Sequence, residues 1–386
     1  MTCRRAADAV DPHVNLNGPG KQKPLERVIQ LMIDRVKSSR MRVRQAVGLL
    51  AVGWAALVAR PAHAASDHDF YLSMLGESGV ELFSDERLFA LFAAFNALGY
   101  DNGPAVRKDP IARASFTPLR VATRAQVQMS VALQKRFQDF FDAHPLPRDA
   151  YIAYSMSLGS APAFAPPSTG APKGKSLAGF EKLLAAHEAE AHVSQVYQSM
   201  TSQIRDLLKG TLAQLDPTCR SADKFLAPAT APASLALNLL DDPTVHAIVE
   251  LGAVTTAVAG VAPGKNADLA SAVEAYAAAR AMPTLQAHPA PGGVSEVLGR
   301  VRQRSLPAGS LSANAFVADS YGAAVAAQVL PQHRQAILAE AEGRGLWLAS
   351  DFDHLLAEDQ GKTPADEILS QRLGNMDFKK VAPSGL

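Results

Sequence analysis

The fourteen residues from Ala46 to Ala59, AVGLLAVGWAALVA, carry no charge and sit between two arginines and a small-residue tripeptide. Arg42 and Arg44 precede the run after Met41; Arg60-Pro61-Ala62-His63-Ala64 follows it. A positive n-region, an apolar h-region and a small-x-small end are the three parts of a secretory signal peptide in the right order. A membrane anchor is the competing reading, but spanning the hydrocarbon core takes roughly 20 apolar residues, and Pro61 ends this run after fourteen. The expectation is therefore a signal peptide over 41–64, export by the Sec route to the periplasm or cell exterior, and a mature chain from Ala65. Residues 1–40 are polar, contain the turn-like Asn17-Gly18-Pro19-Gly20, and are read as a mis-assigned start or a disordered leader.

This cleavage constrains everything downstream. Only two cysteines occur, Cys3 and Cys219, so the mature chain holds one, and an exported chain with one cysteine cannot be stapled internally. Its stability must come from a packed core, which 48% hydrophobic and 19% charged residues allow. Cys219 is read as a small core residue. The net charge of +1 includes a leader rich in Arg and Lys, so the mature chain is expected to be mildly acidic. No basic patch interleaved with aromatics marks a nucleic-acid partner. No lipobox cysteine follows the h-region, and no sustained alternation suggests an outer-membrane barrel; no stable membrane insertion is expected after cleavage.

Helical periodicity dominates the mature chain. A helix is expected from Asp85 to Leu98, with Ser84 as N-cap, Gly99 as C-cap, and Leu88, Phe89, Leu91, Phe92 and Phe95 as its apolar face. Further helices are expected over 123–143 and 148–158, where Tyr151 and Tyr154 read as core. Residues 159–175, with Pro162, Pro166, Pro167 and Pro172, read as a linker. A long helix over 177–209 follows. Apolar and β-branched residues cluster at Ser234–Leu240, Val245–Leu251 and Ala253–Val261, bounded by Asp241-Asp242-Pro243, Gly252 and Pro263. Helices are expected again over 267–282, 293–304, 311–330, 332–343, 351–358 and 364–373. The fold class is thus mainly α with a small central antiparallel β-sheet (α+β), in an N-terminal helical region over 65–158 and a second region over 176–386.

No glycine-rich phosphate loop and no Gly-x-Ser-x-Gly nucleophile motif occurs. The densest polar group is His187-Glu188-Ala189-Glu190-Ala191-His192. Two helical histidines four apart lie about 40° apart and can share a zinc ion; five apart they diverge by about 140°. Glu188 and His192 are four apart and suit a solvated pair; with His187 they form the alternative zinc set. His246, His288 and His333 have no companion at ligand spacing, and Asp351, Asp353 and His354 read as the start of a helix.

The order of elements, strands over Leu235–Val261, a helix over Ala267–Met282 and a later helix over Leu311–Leu330, resembles the secreted bacterial branch of gluzincin-type zinc metallopeptidases. The closing pattern Gly343-Arg344-Gly345-Leu346-Trp347-Leu348, followed by a short helix and Phe352, is similar to the same branch. The resemblance covers roughly residues 70–375 and implies a peptidase-like helical scaffold. In that family the first helix bears His-Glu-x-x-His, and the later helix supplies a glutamate. Here Glu274 matches the general base, but Val273 and Ala277 stand at the two histidine positions. The second helix offers Asp319 and no nearby glutamate. A catalytic zinc needs three protein ligands and an open position for water, so the resemblance implies a pseudo-peptidase. Glu274 would then be vestigial, Asp319 and Tyr276 would contribute to binding an unidentified peptide or protein, and no cofactor is expected. The alternative is a secreted metal-dependent hydrolase using zinc at His187, Glu188 and His192.

Overall fold

A computed structural model describes residues 71–99, 118–166, 177–226, 234–241, 246–251, 254–260 and 269–381. The signal-peptide segment 41–64, the leader 1–40 and most of the linker lie outside the described residues. The chain is mainly α with a small β-sheet.

Two strands that the hydrophobic pattern did not reveal open the described region: β1 (Tyr71–Leu75) and β2 (Glu81–Asp85), paired antiparallel from Tyr71↔Asp85 to Leu75↔Glu81. The turn between them is pinned to a distant helix. Asp216 accepts hydrogen bonds from the Ser78 backbone N at 2.8 Å and from Ser78 Oγ at 2.7 Å. A Cβ at Gly76 would lie 2.3 Å from Asp216 Oδ1, so only glycine allows this approach. Helix α1 (Glu86–Ala97) starts directly from β2, with Asp85 rather than Ser84 as its N-cap, accepting from the Arg87 backbone N at 2.8 Å. Gly99, at φ +76°, follows its C-terminus.

The expected 123–143 helix is two, α2 (Pro118–Gln126) and α3 (Val131–Ala143), because Ser130 caps a new helix. Helix α4 (Arg148–Ser157) buries Tyr151 and Tyr154, whose hydroxyls donate to the His144 carbonyl at 2.6 Å and to Glu181 Oε2 at 2.8 Å. The expected helix over 177–209 is three: α5 (Phe180–Ala191), α6 (Val193–Ser199) and α7 (Thr201–Ala222). His192, at φ +51°, is the left-handed residue that separates α5 from α6, and α7 continues through Pro217.

Strands β3 (Ser234–Asn238), β4 (His246–Leu251) and β5 (Val254–Gly260) fall where the apolar clusters were read. The sheet they join is mixed and five-stranded, in the order β1-β2-β3-β5-β4, rather than an antiparallel sheet of two or three strands. β3 runs parallel to both β2 and β5, and all five of its residues are buried, as expected for a parallel central strand covered on both faces. Regions 65–158 and 176–386 therefore build one sheet.

After the sheet come α8 (Leu269–Ala287), α9 (Gly292–Gln303), α10 (Ala313–Val329), α11 (Arg334–Arg344) and α12 (Ala349–Asp359), then an irregular helical segment over 365–375. Helix α8 lies along β3, β4 and β5 and packs most extensively on α10. Both helices are alanine-rich and buried around nearly their whole circumference, the pattern of a core helix rather than a surface one. Their closest approach is at Gly322, where a Cβ would lie 2.4 Å from the Glu274 carbonyl oxygen and 3.1 Å from Ala278.

This approach predicts opposite outcomes for two glycine substitutions. Gly322→Ala must force α8 and α10 apart and is expected to lower stability by about 1–3 kcal/mol, as overpacking does. Gly299→Ala in α9 meets nothing within 4 Å and is expected to raise stability by roughly 0.5–1 kcal/mol through helix propensity. Urea unfolding of the two variants beside the parent checks both signs.

Candidate functional site

The α8–α10 pair contains the residues on which the peptidase-like reading turns. Val273 and Ala277 have no exposed surface, and Glu274 is 4% exposed. Its Oε1 accepts a hydrogen bond from Arg344 Nη2 at 2.6 Å, closing an ion pair between α8 and the last residue of α11. Asp319, on α10, is also buried and acts on the same guanidinium. Burial works against the charge of Arg344, but Glu274, Asp319 and Glu340 together outweigh it and hold the guanidinium above the ordinary arginine range. Glu274 thus pairs directly with Arg344, and Asp319 acts on the same guanidinium through space.

Arg344 stands in the sequence only as part of the Gly343-Arg344-Gly345 pattern. The signal that could have found its role is its place at a helix C-terminus, where cations are favoured, immediately before the apolar run Leu346-Trp347-Leu348. Gly345 takes φ +92° and ends the helix, turning the chain so that Leu346 and Leu348 enter the core.

Tyr276 belongs to a different neighbourhood. Two positions beyond Glu274 on α8 it points to the opposite side, where its hydroxyl accepts from Arg280 Nη1 at 2.7 Å. Arg280 stacks 5.6 Å above the Tyr276 ring and reaches Asp223 at 3.6 Å. Burial, the largest influence on it, pushes the Tyr276 hydroxyl up to about 12. Cys219 lies near the same charges and is fully buried; burial pushes its thiol well above the usual range, with Asp223 and Asp216 adding to the effect. Thiolate chemistry needs the opposite environment, so Cys219 acts as a core side chain.

The alternative zinc set does not form a cluster. His187 is 1% exposed and donates through Nε2 to the Val127 carbonyl at 2.9 Å, with its ring edge-on to Phe137. Glu188 Oε2 accepts from the Ser194 backbone N at 2.9 Å and so closes the start of α6. His192 sits exposed at the left-handed break, so the angular argument for an unbroken helix does not apply to it. Among the described residues no group of three His, Cys, Asp or Glu side chains is arranged to hold a metal ion. No known protein-family model, curated protein or solved structure matches the chain.

Two outcomes follow from these charges. Arg344→Met removes the guanidinium from the buried Glu274 carboxylate and is expected to cost about 3–5 kcal/mol, whereas the Glu274→Met/Arg344→Met double variant, which removes both charges, recovers much of that loss. Thermal unfolding of the three proteins measures it. For His187, burial outweighs the Val127 carbonyl, Glu188 and Glu190 and lowers its pKa below the unfolded value of 6.5. The unfolded chain then binds the proton more readily than the folded one, so this contribution is intact above about pH 6.5 and is lost as the pH falls below it. His187→Phe is expected to flatten the stability-versus-pH curve between pH 7 and 5 relative to the parent.

Proposed function

We propose that this chain is an exported, non-catalytic protein on a degenerate metallopeptidase-like scaffold that binds a peptide or protein in the region of the former catalytic cleft. The observation that carries the reading is the Glu274–Arg344 ion pair. A general base must reach the proton that it abstracts, and Glu274 is instead buried and bound by a guanidinium, between the packed side chains of Val273 and Ala277. The positive charge that a metal would supply to this pocket comes from Arg344.

Binding rather than turnover also suits the sheet. Its outer strands are β1 and β4, and pairing of an extended segment with a sheet edge is a recurring mode of peptide recognition. Export rests on the 41–64 segment. No helix among the described residues is long and apolar enough to cross a membrane.

Elemental analysis and thermal unfolding of the purified mature protein test the reading. The expected result is no stoichiometric zinc, a melting temperature unmoved by chelators, and no change in either on His192→Ala. Stoichiometric zinc that disappears in His192→Ala would overturn the proposal in favour of the hydrolase using His187, Glu188 and His192.

A further inference from the structure

A second surface lies at the open edge of the sheet. Strand β1 has the sequence Tyr71-Leu72-Ser73-Met74-Leu75, with no charge and no proline, and it pairs with β2 on one side only. The turn after it fixes which backbone groups that pairing uses. Gly76 N donates to the Val80 carbonyl at 2.9 Å, and Gly79 N donates to the Gly76 carbonyl at 3.1 Å. Antiparallel partners alternate between hydrogen-bonded and non-hydrogen-bonded pairs. Met74↔Leu82 and Leu72↔Ser84 are therefore the bonded pairs, and Tyr71, Ser73 and Leu75 direct their N–H and C=O groups away from β2. Apart from β2, no described residue offers a backbone hydrogen bond to Ser73 or Leu75. The side chains at these odd positions face away from α7, since Gly76 is the position that α7 approaches. Leu75 is 69% exposed there, one of two large exposed apolar side chains among the described residues. Edge strands are commonly blunted by charged side chains or proline, and this one has neither.

We propose that β1 is a dimer edge, pairing antiparallel with β1 of a second copy of this chain about a two-fold axis at Ser73. Centred there, all three outward-facing residues find partners. Ser73 faces the second copy's Ser73, Tyr71 faces its Leu75 and Leu75 faces its Tyr71, and each pair exchanges both N–H···O bonds. The side chains agree with the backbone. Directly opposite residues lie about 5.5 Å apart, so the second copy's Leu75 meets Tyr71, whose ring already packs on Phe83 at 4.9 Å. The exposed leucine of each copy thus extends an apolar cluster that the other copy has already built. A charged or proline-bearing strand finds no match on this neutral edge, whereas a second β1 does. The contact closes on itself under the commonest symmetry of soluble oligomers, and it joins two sheets into one with a β4 strand at either end.

This inference does not depend on the peptidase-like reading, and the zinc measurement leaves it untouched. Sedimentation velocity of the purified protein over a range of concentrations tests it, and the expected result is a reversible shift from monomer to dimer mass. Ser73→Pro removes an N–H that takes no part in the β1–β2 ladder, so it spares the fold and weakens the dimer tenfold or more. Leu75→Lys, which puts a charge on the edge, does the same. Val131→Lys, at the other exposed apolar side chain, leaves the dissociation constant within twofold. Cross-linking in a Cys3→Ser background reads the register, since Cys219 is buried. Ser73→Cys sets two cysteines about 5.5 Å apart at Cα, within disulfide reach, and oxidation is expected to link the copies. Leu75→Cys sets them about 13 Å apart along the ladder and is expected to stay unlinked. Thermal unfolding of every variant verifies that the fold is intact. A monomer at every concentration overturns the proposal and leaves the edge to a foreign extended segment. A dimer indifferent to Ser73→Pro and Leu75→Lys, or equal cross-linking by the two cysteine variants, overturns it as well.

Discussion

The contact on which this structure depends is the near-touching of α8 and α10 at Gly322. Two helices buried on all sides can approach this closely only where one presents no side chain and the other presents alanine, here Ala278. The approach has an electrostatic consequence. It brings Glu274 and Asp319, carried on facing helices, into a region that water cannot neutralise, and a buried carboxylate without a partner costs several kcal/mol. Arg344 answers that need. It comes from α11, after which Gly345 turns the chain into the core, so the ion pair also ties the end of α11 to α8. Asp353, at 1% exposure, repeats the device nearby by binding Arg334 through two nitrogens and Gln328 through a third.

Much of this was legible in the sequence, for definite reasons. The helices after the sheet were found within a few residues because caps and turns mark them, as Ser312 caps α10 and Gly345 ends α11. The three strands β3, β4 and β5 are legible because runs such as Ser234–Leu240 are rich in apolar residues and bounded by the turn residues Asp241-Asp242-Pro243. The failures are equally physical. β1 and β2 are five residues each, and β2 runs into α1 without a loop, so the charged stretch Asp85-Glu86-Arg87 reads as a helix start and hides the strand before it. The glycines of the Gly76–Gly79 turn were the available clue. Helices α7 and α8 continue through Pro217 and Pro283, because tertiary packing there outweighs the lost hydrogen bond, a balance that local sequence does not contain.

The candidate site shows a sharper boundary between what spacing reveals and what only packing reveals. Glu274 and Asp319 were identifiable as carboxylates on two helices expected to be neighbours. Their common partner was not, because Arg344 is 70 residues from Glu274 in sequence and no local pattern announces a long-range ion pair. The resemblance implies Tyr276 as a binding residue beside Asp319. Helical geometry separates it, and its own cluster with Arg280 and Asp223 is structural. His192 shows the converse error: the angular argument assumed a continuous helix, and the left-handed turn at that residue removes the premise.

On the proposed peptidase-like reading a buried arginine would stand where a metal would, and that would change more than the identity of the cation. A zinc ion keeps one coordination position open and polarises whatever enters it. A guanidinium has only N–H donors, holds its proton throughout the physiological range and offers carboxylates a fixed planar fork. It can neutralise Glu274, but it cannot lower the pKa of a bound water or accept a substrate carbonyl as a Lewis acid. Under the proposed reading, the carboxylates and Arg344 would keep the electrostatics that hold the helices together without supplying a group that activates water there.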